Sequence, residues 1–129
     1  MRRRPWSRKF ADAFRGLRRS FRTQTSFAVH VAAAVTVVAV AAILRVSPVE
    51  WGLLLLAIGG VLAAEVFNTA LESLARALDT GIHPRVRDAL DMASAAVLVA
   101  SLAAALVGLI VFIPHLFRAI CSTWFPGAY

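Results

Sequence analysis

From Met92 to Ile113 the chain runs 22 residues without a charged side chain. At about 1.5 Å per helical residue such a stretch covers a hydrocarbon core of roughly 30 Å. Two further stretches share this character. Phe27 to Val46 forms a first span whose one strongly polar residue before Arg45 is His30, and Trp51 to Ala64 carries no charge. With 129 residues, 60% of them hydrophobic, and a mean hydropathy of +0.74, the chain reads as one integral membrane domain and not as a soluble one. The expected fold class is all-α, with three membrane-spanning helices.

The net charge of +7 belongs mostly to one end: nine of the fourteen basic residues lie in the first 22 positions. From Trp6 the apolar residues Trp6, Phe10, Ala13, Phe14, Leu17 and Phe21 recur at helical spacing, and Arg8, Lys9, Asp12, Arg15, Arg18, Arg19 and Arg22 fill the other side. The pattern is that of a basic amphipathic helix lying in a membrane interface, with anionic lipid as partner and no nucleic acid. A targeting presequence is the bland alternative, but the apolar stretch from Phe27 to Leu44 exceeds the about 7–15 residues of a signal core. Arg76, Arg85 and Arg87 lie between spans two and three, against Arg45 and Arg118 on the other side. The positive-inside rule therefore predicts a multi-pass protein of the inner (cytoplasmic) membrane, with the N-terminus and the far end of span two in the cytoplasm.

The connections are short. Arg45 to Glu50 makes a hairpin in which Ser47 can cap the next helix and Pro48 occupies its first turn, so spans one and two are antiparallel neighbours. Gly59-Gly60 either kinks the second helix or admits close packing. The next loop falls around Ala77 to Pro84, and a third helix begins near Arg85 and is expected to end at Pro114. This divides the chain into an interfacial helix (1–25), a three-span domain (26–114) and a C-terminal tail (115–129). Cys121 is the one cysteine; with no internal disulfide and no Cys/His cluster, a zinc site is not expected. His30, one turn in from the basic end, reads as an interfacial hydrogen-bonding residue.

Charge is costly inside a span, yet Glu65, Asn68 and Glu72 follow the apolar run of helix two at i, i+3 and i+7. On a helix Glu65 and Glu72 lie about 20° apart, with Asn68 about 60° to one side. One carboxylate there can act as general base toward a hydroxyl and the other can hold a divalent cation on a phosphate. Interhelical packing by the same three polar groups accounts equally well for the spacing. The chain has no glycine-rich Walker loop, which excludes a conventional P-loop nucleotide fold.

The stretch Glu65-Val66-Phe67-Asn68-Thr69-Ala70-Leu71-Glu72, followed by Asp91-Met92-Ala93-Ser94-Ala95-Ala96-Val97, resembles the prokaryotic diacylglycerol kinase family, which includes undecaprenol kinases. The resemblance covers residues 10 to 114. It implies a homotrimer with active sites shared between neighbouring subunits, MgATP as phosphoryl donor and a membrane lipid alcohol, undecaprenol or diacylglycerol, as acceptor. It also implies roles: Glu65 as general base, Asn68 as the motif asparagine, Glu72 as a Mg²⁺ ligand, and Asp91 and His83 at the nucleotide. Thr23, Phe27, His30 and the His83-Pro84 pair look more like the undecaprenol kinase branch.

Three positions depart from the family pattern. Gln24 stands where a second metal-binding glutamate is usual, Arg76 where an aspartate follows Glu72 by one turn, and Leu90 where a lysine precedes Asp91. Arg87, three residues before Leu90, lies on nearly the same helix face and offers a replacement cation. Asp79 offers a carboxylate in place of Arg76. Gln24 keeps an oxygen ligand but not its charge, so weaker metal affinity is expected, and a catalytically silent homologue serving as a structural or lipid-binding subunit is the alternative. Gln24→Glu is expected to lower the Mg²⁺ concentration at half-maximal activity, read from a Mg²⁺ titration of ATP-dependent lipid phosphorylation; an unchanged titration would show that this position does not set metal affinity.

Overall fold

The computed structural model describes residues 5–23, 25–78 and 83–124, so Gln24 and Asp79 lie outside the described residues. Within them the chain is all-α: α1 (Trp6–Thr23), α2 (Thr25–Leu44), α3 (Pro48–Ala77) and α4 (Pro84–Trp124). The last three are each long and apolar enough to cross a membrane. α4 packs mainly on α3, and α2 lies against both.

α1 has the expected two faces. Trp6, Phe10, Phe14 and Leu17 are exposed, Lys9 Nζ sits 4.7 Å from the Trp6 ring centroid in a cation–π contact, and Arg15 pairs with Asp12 one turn back. Bare aromatics beside such charge suit neither water nor a protein core.

A three-residue turn joins α2 to α3. Arg45 is left-handed, with φ 52°, and two hydrogen bonds close the helix end: Val46 N–H to the Ala41 carbonyl at 3.2 Å and Arg45 N–H to the Ala42 carbonyl at 3.3 Å. This is a Schellman ending made without glycine. Ser47 then caps α3. Its hydroxyl accepts from Glu50 N–H, and the Glu50 carboxylate accepts from Ser47 N–H at 2.7 Å, with Pro48 in the first turn. Ala41 and Val46, brought together by the turn, join Leu54 and Val111 in a buried cluster on which Trp51 and Phe112 pack. The turn end of the bundle is therefore its closed, apolar end.

Pro114 does not end the last helix, which continues to Trp124. Proline removes one N–H, the partner of the Ile110 carbonyl, and inside a helix costs about 3 kcal/mol. Local groups offset that loss. Val111 is buried in the core cluster, His115 Nδ1 lies 2.9 Å from the Val111 carbonyl, and His115 Nε2 lies 3.7 Å from Glu50 Oε2 at the start of α3. His115 therefore belongs to α4 and not to a separate tail, and its ring ties the helix beyond the proline to the α3 cap.

α3 is continuous through Gly59-Gly60, and a Cβ at either glycine meets nothing within 4 Å, so neither a break nor a close approach within the chain explains them. Its 30 residues make a rod of about 45 Å, some 15 Å longer than a hydrocarbon core. Counted from Pro48, Glu65 lies about 26 Å along it, near the opposite edge of the core. Ser47→Ala, which removes one half of the capping box, is expected to lower stability by about 1 kcal/mol, measured by unfolding in mixed micelles; Ser47→Thr should retain most of it.

Candidate functional site

At the end of the bundle away from the turn, each spanning helix turns a polar stripe inward. Ser26 and His30 are four apart on α2, Glu65 and Asn68 three apart on α3, and Ser94 and Ser101 seven apart on α4, all intervals that return to one helix face. They line a cavity of about 420 Å³. Glu65 is its most enclosed group, at 2% exposure.

A carboxylate this enclosed costs several kcal/mol unless paired. His30 Nε2 is 4.0 Å from Glu65 Oε2. The separation is beyond hydrogen-bond length but within reach of a small side-chain rotation. Along the stripe, Asn68 Nδ2 donates to Glu72 Oε1 at 3.0 Å, and Arg76 Nη1 lies 3.5 Å from Glu72 Oε2. Both oxygens of Glu72 are thus engaged at the rim, where the side chain is 31% exposed. Asn68 Oδ1, Thr69 Oγ1 and Ser101 Oγ are buried without a hydrogen-bond partner. An unpaired buried oxygen costs about 1–3 kcal/mol, so a ligand that donates hydrogen bonds gains by entering here.

A second cavity of about 520 Å³ adjoins the first, and His30 and Ser101 line both. It is apolar, running between Val37 of α2, Val61 and Leu62 of α3, and Phe112 and Leu116 of α4 toward the turn end. A polar chamber joined to an apolar channel matches an amphiphile with one small polar head and a long chain.

Of the residues expected at a site, the structure brings Glu65, Asn68 and Glu72 together. His83, Arg87 and Asp91 are exposed at the start of α4 and line neither cavity. His83 caps that helix: its Nδ1 accepts from Arg85 N–H at 3.3 Å, and its carbonyl accepts from Val86 and Arg87 N–H at 2.9 and 3.2 Å. Ser94 does line the polar cavity, and around the α4 axis it is about 20° from Arg87 and about 60° from Asp91. Those two residues therefore extend the cavity's α4 face toward the helix start. Among the described residues no three His, Cys, Asp or Glu side chains converge as a metal cage.

Sequence reasoning missed the pairing of His30 with Glu65 and the roles of Ser26, Ser94 and Ser101. A signal existed for the serines. Two serines seven apart in an otherwise apolar span mark one face, and Ser26 with His30 repeats the device at i, i+4. The His30–Glu65 contact had no such local sign, since it depends on the register of α2 against α3.

One family model, described as prokaryotic diacylglycerol kinase, matches residues 11–112. The chain is 34% identical over 109 residues to the undecaprenol kinase of Bacillus subtilis, an alignment that covers 84% of this chain and 89% of that protein. It is 33% identical over 108 residues to the diacylglycerol kinase of Synechocystis sp., covering 83% of this chain and 62% of that relative. The helical extension beyond Pro114 lies outside the family match.

Ser101→Ala removes an unpaired buried hydroxyl and is expected to leave unfolding in detergent unchanged or shifted up by at most about 1 kcal/mol, whereas Asn68→Ala, which strips a partner from Glu72, should cost about 1–3 kcal/mol. A large loss in Ser101→Ala would mean that the hydroxyl is bonded in the folded protein.

Proposed function

The chain belongs to the prokaryotic diacylglycerol kinase family, and on that basis we propose that it transfers the γ-phosphate of ATP to the hydroxyl of a membrane lipid, undecaprenol or diacylglycerol. The observation that carries this reading is the enclosed Glu65 at the junction of a polar cavity and an apolar channel. The channel accommodates a lipid chain, and the hydroxyl then lies against Glu65, which accepts its proton as general base. Asn68 orients the stripe by holding Glu72.

For Mg²⁺ the donor set fits. Glu72 brings a carboxylate, the buried Asn68 Oδ1 is an amide oxygen with no hydrogen-bond partner, and Gln24 is assigned as a further oxygen ligand. A magnesium ion commonly takes one or two carboxylates and completes its shell with water and substrate phosphate, so no closed protein cage is required. When bound it supplies charge neutralisation on the transferring phosphoryl group. Arg87, Asp91 and His83 are assigned to the nucleotide, on the α4 face that leads away from Ser94.

In this reading α1 lies on the anionic inner face of the cytoplasmic membrane, so the polar cavity opens toward cytoplasmic ATP. Family kinship supports a homotrimer, and the exposed positions of Arg87 and Asp91 accord with a site completed by a neighbouring copy. One observation favours a second reading, that of a non-catalytic lipid-binding subunit: Arg76 is paired with the carboxylate that the metal requires.

The deciding experiment follows ATP-dependent phosphorylation of undecaprenol and of diacylglycerol by the purified protein in lipid, across a wide range of Mg²⁺. Activity with either lipid, reduced about 10²–10⁴-fold in Glu65→Gln, is the expected result. Phosphorylation of neither would overturn the kinase reading and leave the subunit reading standing.

A further inference from the structure

Glu65 can take a proton from a substrate only if it can lose that proton before the next turnover. At 2% exposure it has almost no contact with water of its own. Of the other residues lining its cavity, Ser26, Ser94 and Ser101 are hydroxyls, Asn68 is an amide, and Val97 and Leu98 are apolar. None of these is a base near neutral pH. His30 is the one further lining residue whose side chain carries a basic ring nitrogen.

We infer that His30 is the proton acceptor behind Glu65, a positioning residue that acts through the carboxylate and not on the lipid. Its Nε2 is the ring nitrogen that faces Glu65, 4.0 Å from Oε2, and its side chain is 23% exposed against 2% for Glu65. It borders both cavities, so it stands where the lipid chain and the headgroup meet. In the polar cavity α3 presents Glu65 and Asn68 to it, and α4 presents Ser94 and Ser101.

The step balances without a further reactant. As the lipid oxygen bonds to the γ-phosphorus, its O–H bond and the bond from that phosphorus to the leaving oxygen of ATP both break. The proton passes to Glu65 Oε2 and then to Nε2 of neutral His30. The imidazolium so formed sits beside the restored carboxylate and loses a proton to water at its exposed edge. Each cycle returns Glu65 to the charged state from which it accepts the next proton.

This inference rests on the kinase reading, and the test separates the two. Wild type, His30→Gln and His30→Ala are assayed with undecaprenol and diacylglycerol across pH. The expected result is a fall in kcat of about 10–100-fold in His30→Gln, with KM for MgATP within about twofold as evidence of an intact fold. The pH profile of kcat should differ in shape between wild type and His30→Gln. Added imidazole should restore His30→Ala but not His30→Gln.

Full activity of His30→Gln, or an equal loss at every pH with no rescue by imidazole, would sink the inference while leaving the kinase intact. A wild type inactive on both lipids would overturn the kinase reading itself. A measurement that needs no turnover completes the test: the ring ¹⁵N signals of His30 should differ between wild type and Glu65→Gln, and identical signals would show that the two side chains are not coupled.

Discussion

A carboxyl group enclosed among helices in a bilayer is stable only if the surrounding frame holds its partners in place. Glu65 sets that requirement here, and the opposite end of the bundle meets it. There the turn, the Ser47 capping box and the cluster of Ala41, Val46, Leu54 and Val111 fix α2, α3 and α4 in register. The Glu50–His115 contact adds a polar tie just beyond Pro114. One end of the molecule is thus packed with apolar side chains while the other keeps a chamber lined by serines, an asparagine, a histidine and a carboxylate. The rigidity that positions Glu65 comes from residues more than two helical turns away from it.

What could be read from the chain followed the reach of local rules. The Glu65, Asn68 and Glu72 stripe was legible because helical spacing alone puts three polar groups on one face. Ser47-Pro48 was legible as a helix start because capping is a local hydrogen-bond pattern. Pro114 misled for the opposite reason. The cost of a proline is local, but its offset comes from the core contacts of Val111 and from His115 meeting Glu50 across two helices. His30 was visible as an unusual residue, yet its partner lies 35 positions further along, and no periodicity within α2 names it.

The rim of the chamber holds the tension between the two functional readings. Arg76, at the position where the resemblance implies an aspartate, is drawn to Glu72. At 64% exposure its side chain is largely solvated, and an ion pair of that kind is worth at most about 1 kcal/mol. A divalent cation with bound phosphate competes readily against so weak a partner. The pairing therefore lowers the local charge without barring the carboxylate from other use.

The turn at Arg45 to Ser47 also bears on how the protein is made. Three residues with both helix ends sealed by their own hydrogen bonds leave almost no slack between α2 and α3. A pair so tightly joined enters a bilayer as one hairpin, because neither helix can settle while the other waits outside. In the orientation proposed above, Arg45 and Glu50 are then the charges of the hairpin that must cross the hydrocarbon during insertion. The left-handed residue that closes the turn is thus also part of the charge that the hairpin carries with it.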